Sequence, residues 1–124
     1  MPGPHPDWLR PEWPAPAHVH ALFTTRAGGA SQAPYDHLNL GDHVGDDPAA
    51  VQANRRVLQA ALESTTPGAR AVFLQQVHGA KVAALHAALP DGACADACLS
   101  TTPGLACTIM VADCLPVLLT DTQG

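Results

Sequence analysis

The rhythm of apolar and polar positions gives the chain its first divisions. Val51, Asn54, Leu58, Ala61 and Leu62 fall near one face at helical spacing, directly behind Asp46-Asp47-Pro48. Aspartate is a favoured N-cap, and proline suits the first helical position, where its missing N–H has no intrahelical partner to lose. A helix is therefore predicted from Pro48 to near Ser64, stopping before Thr65-Thr66-Pro67-Gly68. Residues 19–24, 71–78 and 81–86 read as strands, with a turn or bulge at Gly79, and residues 105–112 as a buried strand. Residues 115–120 read as a further strand interrupted at Pro116, at a sheet edge or a bulge. Between these runs lie a flexible glycine loop at 26–31, a structured loop rich in Asp, His, Asn and Gly at 35–44, and a loop at 88–94. Residues 1–17, with six prolines, read as an extended and loosely attached leader that Trp8, Leu9 and Trp13 tack to a surface. Residues 18–124 read as part of one domain. The final apolar run has no covering helix after it, and an uncovered strand layer leaves an apolar face exposed. The expectation is an incomplete N-terminal half of a longer fold.

Composition narrows the classes of function. Hydrophobic residues make up 47% and aromatics only 4%, so the core is expected to be built from small aliphatic side chains. The formal charge is −5 with six Lys and Arg, which argues against a nucleic-acid or membrane-surface partner. No apolar run approaches the roughly 18–20 residues that span a bilayer. The N-terminus lacks the charged-then-apolar pattern of a secretory signal, so a cytoplasmic location is expected. The four cysteines, Cys94, Cys98, Cys107 and Cys114, all fall in the last third, where disulfides would close only short loops; reduced thiols fit better.

The residues with chemical potential are scattered. His78 ends a predicted strand and precedes Gly79, where open backbone lets a metal or ligand approach. Cys114, beside Asp113, sits at the junction of two apolar runs. Two readings stand for this pair: Cys114 as a nucleophile with His78 as its base, or both as zinc ligands, since imidazole and thiolate are usual zinc donors. Their sequence spacing decides nothing. Cys94 and Cys98 form a C-x3-C pair with no second pair following, weak support for a structural zinc; with Asp91 and Asp96 they are placed in a loop over the site. Arg26, beside Gly28-Gly29, is the anion-binding candidate, because a guanidinium offers bidentate donors to phosphate. Asn39, with Asp42, His43 and Asp46, is read either as turn and cap chemistry or as a substrate contact, and Arg55 as a solvated helix residue. No P-loop, G-x-G-x-x-G or G-x-S-x-G pattern occurs.

Several stretches taken in order resemble one family. They are Phe23-Thr-Thr-Arg-Ala-Gly-Gly-Ala-Ser31, Pro34-Tyr-Asp-His-Leu-Asn-Leu-Gly-Asp-His-Val-Gly-Asp-Asp-Pro48, Asn54-Arg55, Leu74-Gln-Gln-Val-His-Gly79, Ala95-Asp96, Thr102-Pro-Gly104 and Ala112-Asp-Cys-Leu-Pro-Val-Leu-Leu119. The ordered set, over roughly residues 19–121, is similar to the laccase-domain, or multicopper polyphenol oxidase-like, family. That family is also described as purine nucleoside phosphorylase and as peptidoglycan editing factor. The resemblance implies an α+β fold in four layers, α/β/β/α, with mixed sheets. It implies a zinc site of two histidines and one cysteine, in which His78 matches the first histidine and Cys114 the cysteine, as metal ligands and catalytic residues. The second histidine belongs to a His-Ala-Gly-Trp-Arg-Gly-like segment absent from this sequence. It also implies phosphorolysis of adenosine, inosine, guanosine and methylthioadenosine, with deamination of adenosine, so purine nucleoside and phosphate are the expected partners. Arg26 and Asn39 are carried forward as candidates for the phosphate and substrate side. The alternatives are a cysteine hydrolase acting in peptidoglycan editing through Cys114 and His78, and a copper-dependent polyphenol oxidase. Copper is the second possible cofactor. The oxidase ranks last because the only H-x-H pair, His18-Val-His20, is isolated.

Overall fold

The computed structural model describes residues 3–112 and 114–124, so Asp113, the acidic neighbour of Cys114, lies outside the described residues. The chain forms two compact units, Met1–Thr65 with Leu118–Gly124, and Thr66–Val117.

The first unit is organised by one helix, α1, Pro48–Thr65. Its start follows the sequence signal: the Asp47 carboxylate accepts the Ala49 N–H at 3.2 Å, and Pro48 opens the helix. Val51, Asn54, Leu58 and Ala61 are buried, so four of the five positions assigned to the inner face are there, and Leu62 is half-buried. At the far end the Ser64 and Thr65 hydroxyls bond back to the Ala61 and Leu62 carbonyls. Ala61 packs with Trp8 and Leu38 in a small core flanked by Leu22 and Leu40.

Trp8 and Leu9, two of the anchors expected for the proline-rich stretch, hold it more firmly than a loose attachment: Trp8 is buried, its indole N–H donates to the Ala27 carbonyl at 2.8 Å, and Leu9 forms an antiparallel bridge with Phe23. The strand expected at 19–24 reduces to that single bridge, because no longer partner lies alongside it among the described residues. The glycine loop is less flexible than expected. Gly29 runs so close to the His37 carbonyl and the Leu38 Cα that a Cβ would overlap both.

The second unit holds three parallel strand pairs. β1 (Arg70–Val72), β2 (Leu74–Gln75), β3 (Val82–Ala84), β4 (Ala93–Cys94), β5 (Ala97–Leu99) and β6 (Leu105–Cys107) pair as β1 with β6, β2 with β4, and β3 with β5. The registers are Arg70↔Leu105, Leu74↔Ala93 and Val82↔Ala97 at their first positions. Ala69, Ala71, Val72, Phe73, Leu74, Leu85 and Ala95 form the buried set, aliphatic apart from Phe73.

The single strand expected at 71–78 is thus divided. At Phe73 the N–H turns to the Asp91 carboxylate (3.0 Å) and the carbonyl to the Gly92 N–H (2.9 Å), so the backbone changes partner between β1 and β2. The buried strand expected at 105–112 stops at Cys107. Beyond it the Gln76 side chain takes the place of a neighbouring strand, donating to the Met110 carbonyl (2.7 Å) and accepting the Met110 N–H (2.8 Å). The strand expected at 115–120 is not formed: Leu115 and Leu119 are 87% and 89% exposed. Short pairing also appears at β4 and β5, within and after the segment expected to be loop. No helix of the described residues is long and apolar enough to cross a membrane.

Candidate functional site

His78 follows β2 in the turn Val77-His78-Gly79, and its backbone is unusual. Its φ is +60°, in the left-handed region that costs a residue with a Cβ about 1–2 kcal/mol. The turn is held from one side. Asp96, on the connection between β4 and β5, accepts three successive N–H groups: Val77 at 3.0 Å and His78 at 2.8 Å on Oδ1, and Gly79 at 2.7 Å on Oδ2. Asp96 is itself fixed, its N–H donating to the Lys81 carbonyl while the fully buried Ala95 next to it donates to Gln75. The Gly79 N–H first, then those of His78 and Val77, hold the Asp96 carboxyl below the usual carboxylate range, against a partial loss of hydration. The imidazole is left exposed on a backbone that is not free to turn. Sequence reasoning placed Asp96 only in a loop over the site. The signal available was its place in the Ala95-Asp96 stretch of the family series.

Cys114 lies in the same unit as His78, with an exposed thiol. Imidazole nitrogen and cysteine sulfur are usual zinc donors, and neither of these exposed side chains belongs to the buried apolar set. Among the described residues no cluster of three or more His, Cys, Asp or Glu is placed to hold a metal. The C-x3-C pair forms no site of its own. Cys94 contacts the Gln75 side chain, while Cys98 pairs with Cys107.

That thiol pair was not anticipated. All four cysteines are free. The neighbouring Cys107 thiol, with help from the Thr108 N–H and against burial, lowers the Cys98 pKa to about 7. Cys107, which keeps the shared proton, is pushed up. Thiolate is the reactive form, so iodoacetamide is expected to label Cys98 with a pH midpoint of about 7. Cys107→Ala removes the donor and is expected to raise that midpoint by about one unit or more. Peptide mass spectrometry across a pH series reads this, and an unmoved midpoint would contradict the pairing.

Arg26 and Asn39 belong to the other unit. The Arg26 guanidinium is 73% exposed and aimed by Asp36, with Nη2 at 2.9 Å from the carboxylate and Nε and Nη2 on the Asp36 carbonyl. The Asn39 amide is absorbed by its own loop: it donates to the Gly41 carbonyl and to Asp46, and accepts the Gly41 N–H. Turn chemistry accounts for every one of these bonds. Arg55, expected to be solvated, is instead half-buried, with Nε on the Leu40 carbonyl at 2.9 Å. A cleft of about 310 Å³ in this unit is lined by Tyr35, Gln32, Asp46 and Asp47 among others. Its carboxylates repel an anion.

Comparison with known proteins gives consistent matches. The family described as multi-copper polyphenol oxidoreductase laccase matches residues 20–124, a span that includes Arg26, Asn39, His78 and Cys114. A Pseudomonas aeruginosa protein named purine nucleoside phosphorylase is 55% identical over 117 residues, covering 94% of this chain and 46% of that protein. The Escherichia coli purine nucleoside phosphorylase YfiH is 47% identical over 114 residues, covering 92% and 46%. Among solved structures, a Neisseria meningitidis protein of the family termed DUF152 superposes with a TM-score of 0.78 at 44% identity, covering 86% of this chain and 42% of that one. YlmD from Geobacillus stearothermophilus superposes with a TM-score of 0.68 at 33% identity, covering 79% and 39%. The chain spans a little under half the length of the curated relatives it matches. One helix with short parallel strands is the mixed α/β arrangement it shares with these structures.

Proposed function

The chain belongs to the multi-copper polyphenol oxidoreductase laccase family, and from that premise we propose that its protein is a zinc-dependent purine nucleoside phosphorylase that also deaminates adenosine. The observation that carries the reading is the 55% identity, over 94% of the chain, to a protein named purine nucleoside phosphorylase. The donor chemistry of His78 and Cys114 supports the metal. With them goes the four-layer α/β/β/α domain implied by the family, and a cytoplasmic location.

His78 and Cys114 are the residues of this chain that would hold the zinc, the third ligand being the second histidine that the family resemblance implies. When bound, zinc supplies Lewis-acid polarisation. Everything else falls to side chains that bind and orient. In phosphorolysis a phosphate oxygen bonds to ribose C1′ as the bond from C1′ to the purine nitrogen breaks; the purine leaves and ribose 1-phosphate forms. The attacking group is an anion that must be aimed, and Arg26 is proposed to hold it, its guanidinium already directed by Asp36 and open to solvent. Asn39 is proposed to support the substrate side by keeping the 39–46 loop in shape.

The test incubates the intact protein with inosine or adenosine, with and without phosphate, and follows free base, ribose 1-phosphate and ammonia. Free base formed only with phosphate is the expected result, and ammonia from adenosine is expected alongside it. Arg26→Ala is expected to raise the KM for phosphate by about tenfold or more, the loss of one charge-assisted bidentate contact. Base release indifferent to phosphate would sink the phosphorylase reading, and an unchanged phosphate KM would remove Arg26 from it.

A further inference from the structure

We propose that Asp96 is the positioning residue for His78: by accepting the three N–H groups of Val77, His78 and Gly79, its carboxylate fixes the backbone from which the imidazole reaches the cation. This rests on the metal reading made under Proposed function. Three consecutive N–H groups converging on one point form an anion nest, and here the nest is filled by the protein's own carboxylate at 3.0, 2.8 and 2.7 Å. His78 needs this support more than most residues, since it is the only residue other than glycine given a positive φ among those described. An exposed left-handed histidine without a brace relaxes to the commoner regions and swings its side chain with it. The brace comes from 18 residues away in sequence, and its hydrogen bond to His78 runs to the backbone N–H and not to the ring.

The chemistry of the brace is specific to a carboxylate. Oδ1 takes two donors and Oδ2 the third. Asparagine offers one oxygen and an NH2 group, which cannot accept from Gly79; alanine offers nothing. Residues that orient a metal ligand without touching the metal typically change affinity by about 10–100-fold when replaced.

The experiment measures zinc affinity of the intact protein by competition with a chromophoric chelator, for the wild type, Asp96→Ala, Asp96→Asn, His78→Ala and the double variant Asp96→Ala/His78→Ala. Circular dichroism and thermal unfolding establish the folded fraction of each. Asp96→Ala is expected to weaken zinc binding by about tenfold or more, with Asp96→Asn between it and the wild type. In the His78→Ala background, Asp96→Ala is expected to add nothing, because a brace has no effect once the braced ligand is gone. A purely structural role would lower the unfolding temperature while leaving the affinity of the folded protein unchanged, or would weaken zinc equally with and without His78; either result overturns the proposal. If Asp96→Ala does not fold, Asp96→Asn carries the same comparison, and failure of both to fold would show that Asp96 holds the fold and not the ligand. Zinc affinity that is indifferent to His78→Ala marks a different failure, that of the metal reading, and the role of Asp96 falls with it.

Discussion

Cys114→Ala in the intact protein is expected to remove zinc and phosphorolysis together. The apparent free energy of a four-ligand structural zinc is about 10–16 kcal/mol at neutral pH, or about 3 kcal/mol per ligand. Losing one thiolate should therefore weaken zinc by on the order of a hundredfold or more. The thiol is exposed and forms no part of the buried aliphatic set, so the replacement leaves little reason for the fold itself to fail. Metal content by atomic emission after dialysis, beside base release under phosphate, reads both quantities. His78→Ala is expected to give the same paired loss. The outcome that would overturn the ligand assignment is equally concrete: zinc retained at full stoichiometry while activity disappears. That pattern belongs to a cysteine nucleophile with His78 as its base, which needs the thiol for bond formation and not for the cation. The ligand reading also carries a pH signature. Both donors must lose protons to bind, so zinc affinity should fall as pH is lowered.

How far the fold and the candidate site were legible in the chain depends on what kinds of signal a sequence holds. The helix was readable because its cues are local: Asp47 and Pro48 start it, and one face repeats at helical spacing through Ala61. His78 was readable as a candidate because a histidine before glycine at the end of an apolar run is also a local cue. The strand pattern was harder. An apolar run states that a segment is buried without stating its partner, so the run at 71–78 concealed a change of partner at Phe73, made by Asp91 and Gly92. Residues 108–112 are as apolar as a strand, yet at Met110 a side chain, that of Gln76, bonds the backbone N–H and carbonyl. The same limit hid Asp96, whose bonds cross 17 to 19 residues, and the Cys98–Cys107 thiol pair, whose members share no spacing motif. Trp8 was legible as an anchor of residues 1–17, but their proline content suggested a loose attachment, whereas the indole is buried in the core.

Asn54→Leu is expected to destabilise the first unit by about 3 kcal/mol or more, chiefly through lost hydrogen bonds. Asn54 is fully buried on the inner face of α1, where an amide would be unfavourable without partners. It has them all. Its oxygen accepts the Ala30 N–H at 2.7 Å, and its NH2 group donates to the Ser31 hydroxyl and the Asn39 carbonyl, each at 2.8 Å. The Ser31 hydroxyl passes its own proton towards Asp46, at 2.5 Å, and Asp46 accepts Asn39 as well. One amide thus ties the glycine loop, the 39–46 loop and the helix together. Leucine keeps the branching of asparagine but is bulkier, so no cavity opens and some overpacking adds to the cost; the larger part is a set of polar groups left without partners, each costing about 1–3 kcal/mol. The network also carries a pH dependence of known sign. The Ser31 hydroxyl first, then Asn39 and the Asp47 N–H, lower the Asp46 pKa below the ordinary carboxylate range. Its contribution is then fully present above the unfolded carboxylate value of about 4 and is lost as pH falls through the lower folded value. Urea titration at pH 7 measures the first effect, and the same titration repeated below pH 4 measures the second. Ser31→Ala should flatten that acid dependence, since it removes the bond that lowers Asp46 most. A wild-type midpoint for Asn54→Leu would mean that these bonds form without stabilising the unit.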